Sequence, residues 1–145
     1  MAQGCAADNQ AKGFRIGNNG NKRLVIMDRA INPNEAAVVQ WLLDHASVGD
    51  VTAYRLHPVE ELRVVGECDC GCASLYFQLQ EWRNASMIAD ALAVYPDGQQ
   101  ANLILRGREG QIVFLEVCDI DPRAPHRVPE ISNLCTWEER GRQLL

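Results

Sequence analysis

Three cysteines fall within five residues, Cys68, Cys70 and Cys72, in the segment Cys68-Asp-Cys-Gly-Cys72, with Cys118 and Cys135 elsewhere in the chain. Zinc is held by about four soft donors at tetrahedral angles and takes thiolates readily, so this cluster with Cys118 as fourth donor is the candidate zinc site. The spacing is not that of a C-x-x-C knuckle, and cysteines two apart on an extended strand lie too far apart to share an ion easily. The chain must turn for this chemistry, and Asp69 and Gly71 are turn-prone. The same residues also read as a plain hairpin turn with small, weakly polar buried thiols. A redox or disulfide role is the third reading, although no Lys, Arg or His within the cluster marks an activated thiolate.

Carboxylates are the next candidates. Glu116, Asp119 and Asp121 gather near the end of one apolar segment, and Asp90 interrupts another. Such groups serve as an acid/base pair or a hard-metal site, and more often as charges solvating a strand end. Glu116 shares its predicted face with Ile112 and Phe114, so its carboxylate needs a partner, for which Arg63 or Arg106 would serve. Of the histidines, His45 falls on the last turn of a predicted helix, a structural place. His57 precedes Pro58, and His126 lies in a proline-rich stretch, neither beside a serine or cysteine that would suggest a triad. Gly17-Asn-Asn-Gly20 lacks the spacing and the Lys-Ser/Thr pair of a phosphate loop.

The elements that must position these residues are legible from patterning. Asn32-Pro33-Asn34-Glu35 combines an N-cap residue, a proline at the first helical position and a glutamate three after the cap. Val38, Val39, Leu42, Leu43 and Ala46 then recur at helical spacing, a stripe that reads as core packing, and Gly49 offers a stop. From Leu62 the period becomes two. Predicted strands cover Leu62 to Gly66, Ala73 to Leu79, Met87 to Tyr95, Ala101 to Arg106 and Gln111 to Cys118, with turns at Pro96-Asp97-Gly98 and Gly107-Arg108-Glu109-Gly110. Leu24-Val25-Ile26-Met27 fits a strand or a packed extended segment. After Asp121, Pro122, Pro125 and Pro129 interrupt regular structure, and a short turn of helix is expected near Trp137.

The fold expectation is therefore α+β: an antiparallel meander of four to five strands packed against one main N-terminal helix, as a single domain over residues 24–145. Residues 1–23, rich in glycine and asparagine, form an expected flexible arm. A chain of 145 residues fits one core without a metal or disulfide staple. The net charge of −5 disfavours nucleic acid and anionic lipid as partners. No apolar run approaches the roughly 18 residues of a membrane span, and the start Met1 to Asp8 has no secretory pattern, which makes the cytoplasm the expected compartment. In that reducing setting thiols stay free or bind metal.

The segment Val64-Val-Gly-Glu-Cys-Asp-Cys-Gly-Cys-Ala-Ser74 resembles a Val-x-Gly-x-Cys-x-Cys-Gly-Cys-x-Ser/Thr signature of small bacterial proteins of unassigned function. Leu115-Glu116-Val117 before a proline-containing tail is similar as well, and the likeness spans roughly Asn32 to Leu134. The resemblance implies an α+β domain and carries over no catalytic residue.

Two function classes follow. The first is a non-enzymatic binding or protein-interaction domain, immunity-like or regulatory; the second is a small metal-dependent enzyme or zinc-binding protein using Cys68, Cys70 and Cys72. In the last strand Ile112, Phe114, Glu116 and Cys118 alternate with Val113, Leu115 and Val117, so both faces call for cover. Either the segments Leu24 to Met27 and Ile131 to Leu134 fold over the second face, or a homodimer through the face around Val113, Leu115 and Val117 supplies the cover.

Overall fold

The computed structural model describes residues 14–15, 23–45, 48–79, 84–120 and 127–144, with side chains at 24–45, 48–79, 84–120 and 127–141. Their regular elements are β1 (Phe14–Arg15), β2 (Arg23–Ala30), α1 (Pro33–Asp44), β3 (Arg63–Cys68), β4 (Leu75–Tyr76), β5 (Ser86–Val94), β6 (Gln100–Arg108), β7 (Gln111–Asp119), β8 (Leu134–Cys135) and α2 (Trp137–Leu144). Short 3-10 turns occupy Thr52–Arg55, Val59–Glu61 and Ile131–Asn133. The class is mixed α+β. The strands form one sheet, wholly antiparallel, in the order β1-β2-β3-β4-β7-β6-β5-β8.

That is eight strands and two helices, against an expected four or five strands and one main helix. The additions are β1, β2 and β8, and two of these are only two residues long. Such strands exist because a neighbour offers free edge groups, a non-local cause that leaves no local pattern. Of the expected arm, Phe14 pairs with Leu24 and Arg15 with Arg23, while residues 1–13 and 16–22 lie outside the described residues. The Ala73 to Leu79 segment shrinks to Leu75–Tyr76, and it is not half-buried. Ser74, Leu75, Tyr76 and Phe77 are all buried, since β4 sits centrally between β3 and β7 and is covered on both faces.

α1 begins as its residues dictate. Asn32 Oδ1 accepts from the Glu35 N–H at 2.8 Å, Glu35 Oε1 accepts from the Asn32 N–H at 2.9 Å, and Pro33 opens the first turn. At the other end His45 donates its N–H to Trp41 O and stacks its ring on Trp41 at 4.0 Å, a structural role. α2 repeats the capping device, with Thr136 and Glu139 exchanging bonds of 2.9 and 3.0 Å. Neither helix is long and apolar enough to cross a membrane.

The main core lies between α1 and one sheet face. Val38, Val39, Leu42 and Leu43 pack in one cluster with Leu103, Leu105, Leu115 and Val117. Ala89, Ala91 and Ala93 alternate along β5 in the same cluster, and their small side chains let the helix approach. A second, smaller cluster forms from Leu24, Cys68, Tyr76, Val113, Phe114 and Cys118, in which the rings of Tyr76 and Phe114, cross-strand partners on β4 and β7, stack at 4.3 Å.

In β7 the expected alternation is broken. Arg106 pairs with Phe114 and Gly107 with Ile112, so Val113 is an extra bulged residue. Ile112 thus joins Leu115 and Val117 in the main cluster, and Val113 joins Phe114 in the other. Val113, Leu115 and Val117 are all fully buried within the single chain, so the cover they called for comes from its own helix and strands.

Candidate metal centre

β3 ends at Cys68 and the backbone turns at once, with Gly71 at φ 92°, a left-handed conformation that costs glycine little. This turn does what an extended strand would not. The Sγ atoms of Cys68, Cys70 and Cys72 all lie within 4.8 Å of one another, and those of Cys68 and Cys70 are in contact at 2.7 Å. Cys68 is buried; Cys70 and Cys72 are partly open.

Zinc–sulfur bonds of about 2.3 Å at tetrahedral angles set sulfurs about 3.8 Å apart, so three sulfurs within 4.8 Å of one another are close to that spacing and the Cys68–Cys70 pair would widen around an ion. In the thiol form, hydrogen bonding with Cys70 and then Cys72, together with burial, pushes the Cys68 thiol up. Thiols crowded in this way lose their protons together with a soft cation rather than singly. The turn also holds a carboxylate oxygen, Asp69 Oδ2, that is buried with no hydrogen-bond partner. A nearby cation is the natural compensation for it.

The turn is anchored on both sides. Cys72 Sγ donates to Ser74 Oγ at 3.4 Å, and the fully buried Ser74 Oγ accepts from the Val117 N–H at 2.9 Å, which ties the turn to β7. Next to Cys68, Glu67 Oε1 accepts from Arg29 at 3.0 Å, and Arg29 also holds both oxygens of Glu35 at 2.9 Å. The start of α1 and the end of β3 are thereby joined through one guanidinium. A cavity of about 460 Å³ opens beside the turn, between the start of α1 and residues 127–128; its walls include Cys68, Cys72, Ser74, Glu67 and Arg127.

Cys118 shares the smaller buried cluster with Cys68 but lies outside the three-sulfur group; its thiol donates to Glu116 Oε2 at 3.0 Å. Cys135 is on β8, at the far side of the sheet. Glu116 finds Arg106, at 3.4 Å, while Arg63 pairs with Asp28 at 2.9 Å. Of the expected carboxylate group, the two described members do not come together. Glu116 and Asp119 are three apart on β7 beyond the bulge, so they point to opposite faces of the sheet. Asp119 acts electrostatically on Tyr95 in the main cluster, whereas Glu116 bonds Cys118 in the smaller one. Asp121 and His126 fall outside the described residues. His57 lines a separate 260 Å³ pocket with Tyr54 and Glu61.

Sequence reasoning missed Arg29 and Arg127 as neighbours of the cysteine turn, and the bond between Arg29 and Glu67, because nothing local ties residues so far apart in the chain. No family model, curated protein or solved structure matches the chain.

Proposed function

We propose that the chain is a non-enzymatic binding protein whose functional centre is a zinc ion held by Cys68, Cys70 and Cys72. The observation that carries this reading is the convergence of three thiol sulfurs within 4.8 Å on one turn. Thiolates select soft ions, and zinc is the usual occupant of cysteine-rich sites. The orphaned Asp69 Oδ2 inside the same turn supports a cation there. Against the enzymatic alternative stands the separation of Glu116 from Asp119 across the sheet, so these two described carboxylates do not form an acid/base pair. A regulatory role suits such a centre, since metal binding and the fold of the turn are coupled.

The test is metal content. Protein purified without chelator should carry close to one zinc per chain, release it to a chelator and lose thermal stability as it does. Cys68→Ser, Cys70→Ser and Cys72→Ser should each abolish stoichiometric zinc, with Cys135→Ser as the unaffected control. Metal-free protein after gentle purification, or a Cys68–Cys70 disulfide found by thiol titration and mass spectrometry, would sink the reading.

A further inference from the structure

Resting on the zinc reading above, we infer that the ion keeps an exchangeable coordination position facing the 460 Å³ cavity, and that the ligand taken there is a small thiol carrying a carboxylate. Closed structural zinc sites have four protein donors, whereas sites with three leave one position for an outside ligand. Among the described residues the group holds three donors; no fourth His, Cys, Asp or Glu falls within it, and the nearest candidate from sequence, Cys118, is engaged with Glu116. Two of the three ligand residues, Cys68 and Cys72, are also walls of the cavity, so the trio borders it.

The cavity's charges select the ligand. Glu35 and Glu67 both bond to Arg29, and Arg127 is the charged wall residue that forms no ion pair among the described residues. A carboxylate on the incoming molecule would meet that guanidinium. At the other end, zinc with three thiolates bears a net single negative charge, which weakens hard oxygen donors and leaves soft sulfur the better fourth ligand. On binding, the thiol releases its proton to solvent and its sulfur takes the position of a water; no oxidant or reductant is involved. The volume is at the small end of ligand pockets, about 300–1,000 Å³, and suits a mercapto acid or small peptide thiol.

Cobalt(II) replaces zinc in the purified full-length chain under nitrogen, and its visible and sulfur-to-metal charge-transfer bands report the number of thiolates bound. Titration with mercaptoacetate should shift these bands to a four-sulfur spectrum and saturate, 2-mercaptoethanol should do so more weakly, and acetate should leave them unchanged. Arg127→Ala, at an exposed position, should weaken mercaptoacetate by about fivefold and leave 2-mercaptoethanol within about twofold. A four-sulfur spectrum before any thiol is added, bands indifferent to both thiols, or stripping of the ion by them would overturn the open position while the metal reading stood. Equal weakening of both thiols by Arg127→Ala would overturn the carboxylate selection. Absence of any cobalt–thiolate band from protein with its thiols intact would overturn the metal reading itself.

Discussion

Arg29 grips Glu35 through two parallel hydrogen bonds of 2.9 Å, and the same carboxylate closes the first turn of α1 on the Asn32 N–H. Glu35 is only 5% exposed. Burial raises the pKa of such an acid, but the bonds from Arg29 and Asn32 and the charge of Arg29 outweigh it and hold Glu35 below its ordinary 4.5. A carboxyl depressed on folding adds stability above its unfolded value and loses it as pH falls through the folded one. Urea midpoints should therefore drop on acidification below pH 4.5, and Glu35→Gln should both lower the unfolding free energy at neutral pH, by about 2 kcal/mol, and flatten that acid dependence. An unchanged acid limb in Glu35→Gln would show that other carboxylates set it.

Asp90 behaves oppositely. Burial raises its pKa above the usual 3.8, so its stability contribution falls as pH rises from that value through the folded one. Asp90→Asn should raise the melting temperature at neutral pH and leave it unchanged in acid below pH 3.8. Calorimetry at the two pH values decides, and a loss at neutral pH counts against the account.

A side chain at Gly107 has nowhere to go. A Cβ there would stand 2.5 Å from Tyr54 Cε1 and 2.9 Å from the backbone oxygen of Gln111. The ring can swing aside; the hairpin backbone cannot. Gly107→Ala should cost about 1–3 kcal/mol, and adding Tyr54→Ala should recover only part of the loss in a double-mutant cycle. Full recovery would mean that the backbone contact yields.

Leu115 has no exposed surface and packs in the cluster beneath α1. Leu115→Ala should cost about 2–5 kcal/mol, and Leu115→Asp should abolish cooperative unfolding at any protein concentration. A folded Leu115→Asp chain whose mass by light scattering is half that of the parent would instead support an intersubunit role for this face.

What was legible in the sequence was what local chemistry determines. Asn32, Pro33 and Glu35 mark the start of α1, and Pro96-Asp97-Gly98 marks the turn in which Gly98 takes φ 88°. Met87 to Tyr95 and Gln111 to Cys118 fall within a residue of β5 and β7. Glu116 was also rightly in need of a cation, and Arg106 is near enough along the hairpin to provide it. The bulge at Val113 was not legible, because an unbroken apolar run from Ile112 to Leu115 does not mark which residue lacks a partner on β6. The cysteine trio was visible as a motif. Its attachment through Ser74 to Val117, and the link from Glu67 through Arg29 to α1, depend on strand order.

The sheet is sewn together at its narrowest strand. β1, β2 and β3 make one run of neighbours, β5, β6 and β7 another, and in the sheet of the described residues the two are joined by the pairing of Leu75 and Tyr76 with β3 on one side and β7 on the other. The β5–β6 and β6–β7 pairings close over short turns and can form early in folding, at little loop-closure cost. The seam joins Leu75 to Leu115 and Tyr76 to Phe114 across an intervening double hairpin, so it gains its partner only once that hairpin exists. The cysteine turn is tied to β7 through Ser74, so its anchoring depends on a strand that pairs across this seam.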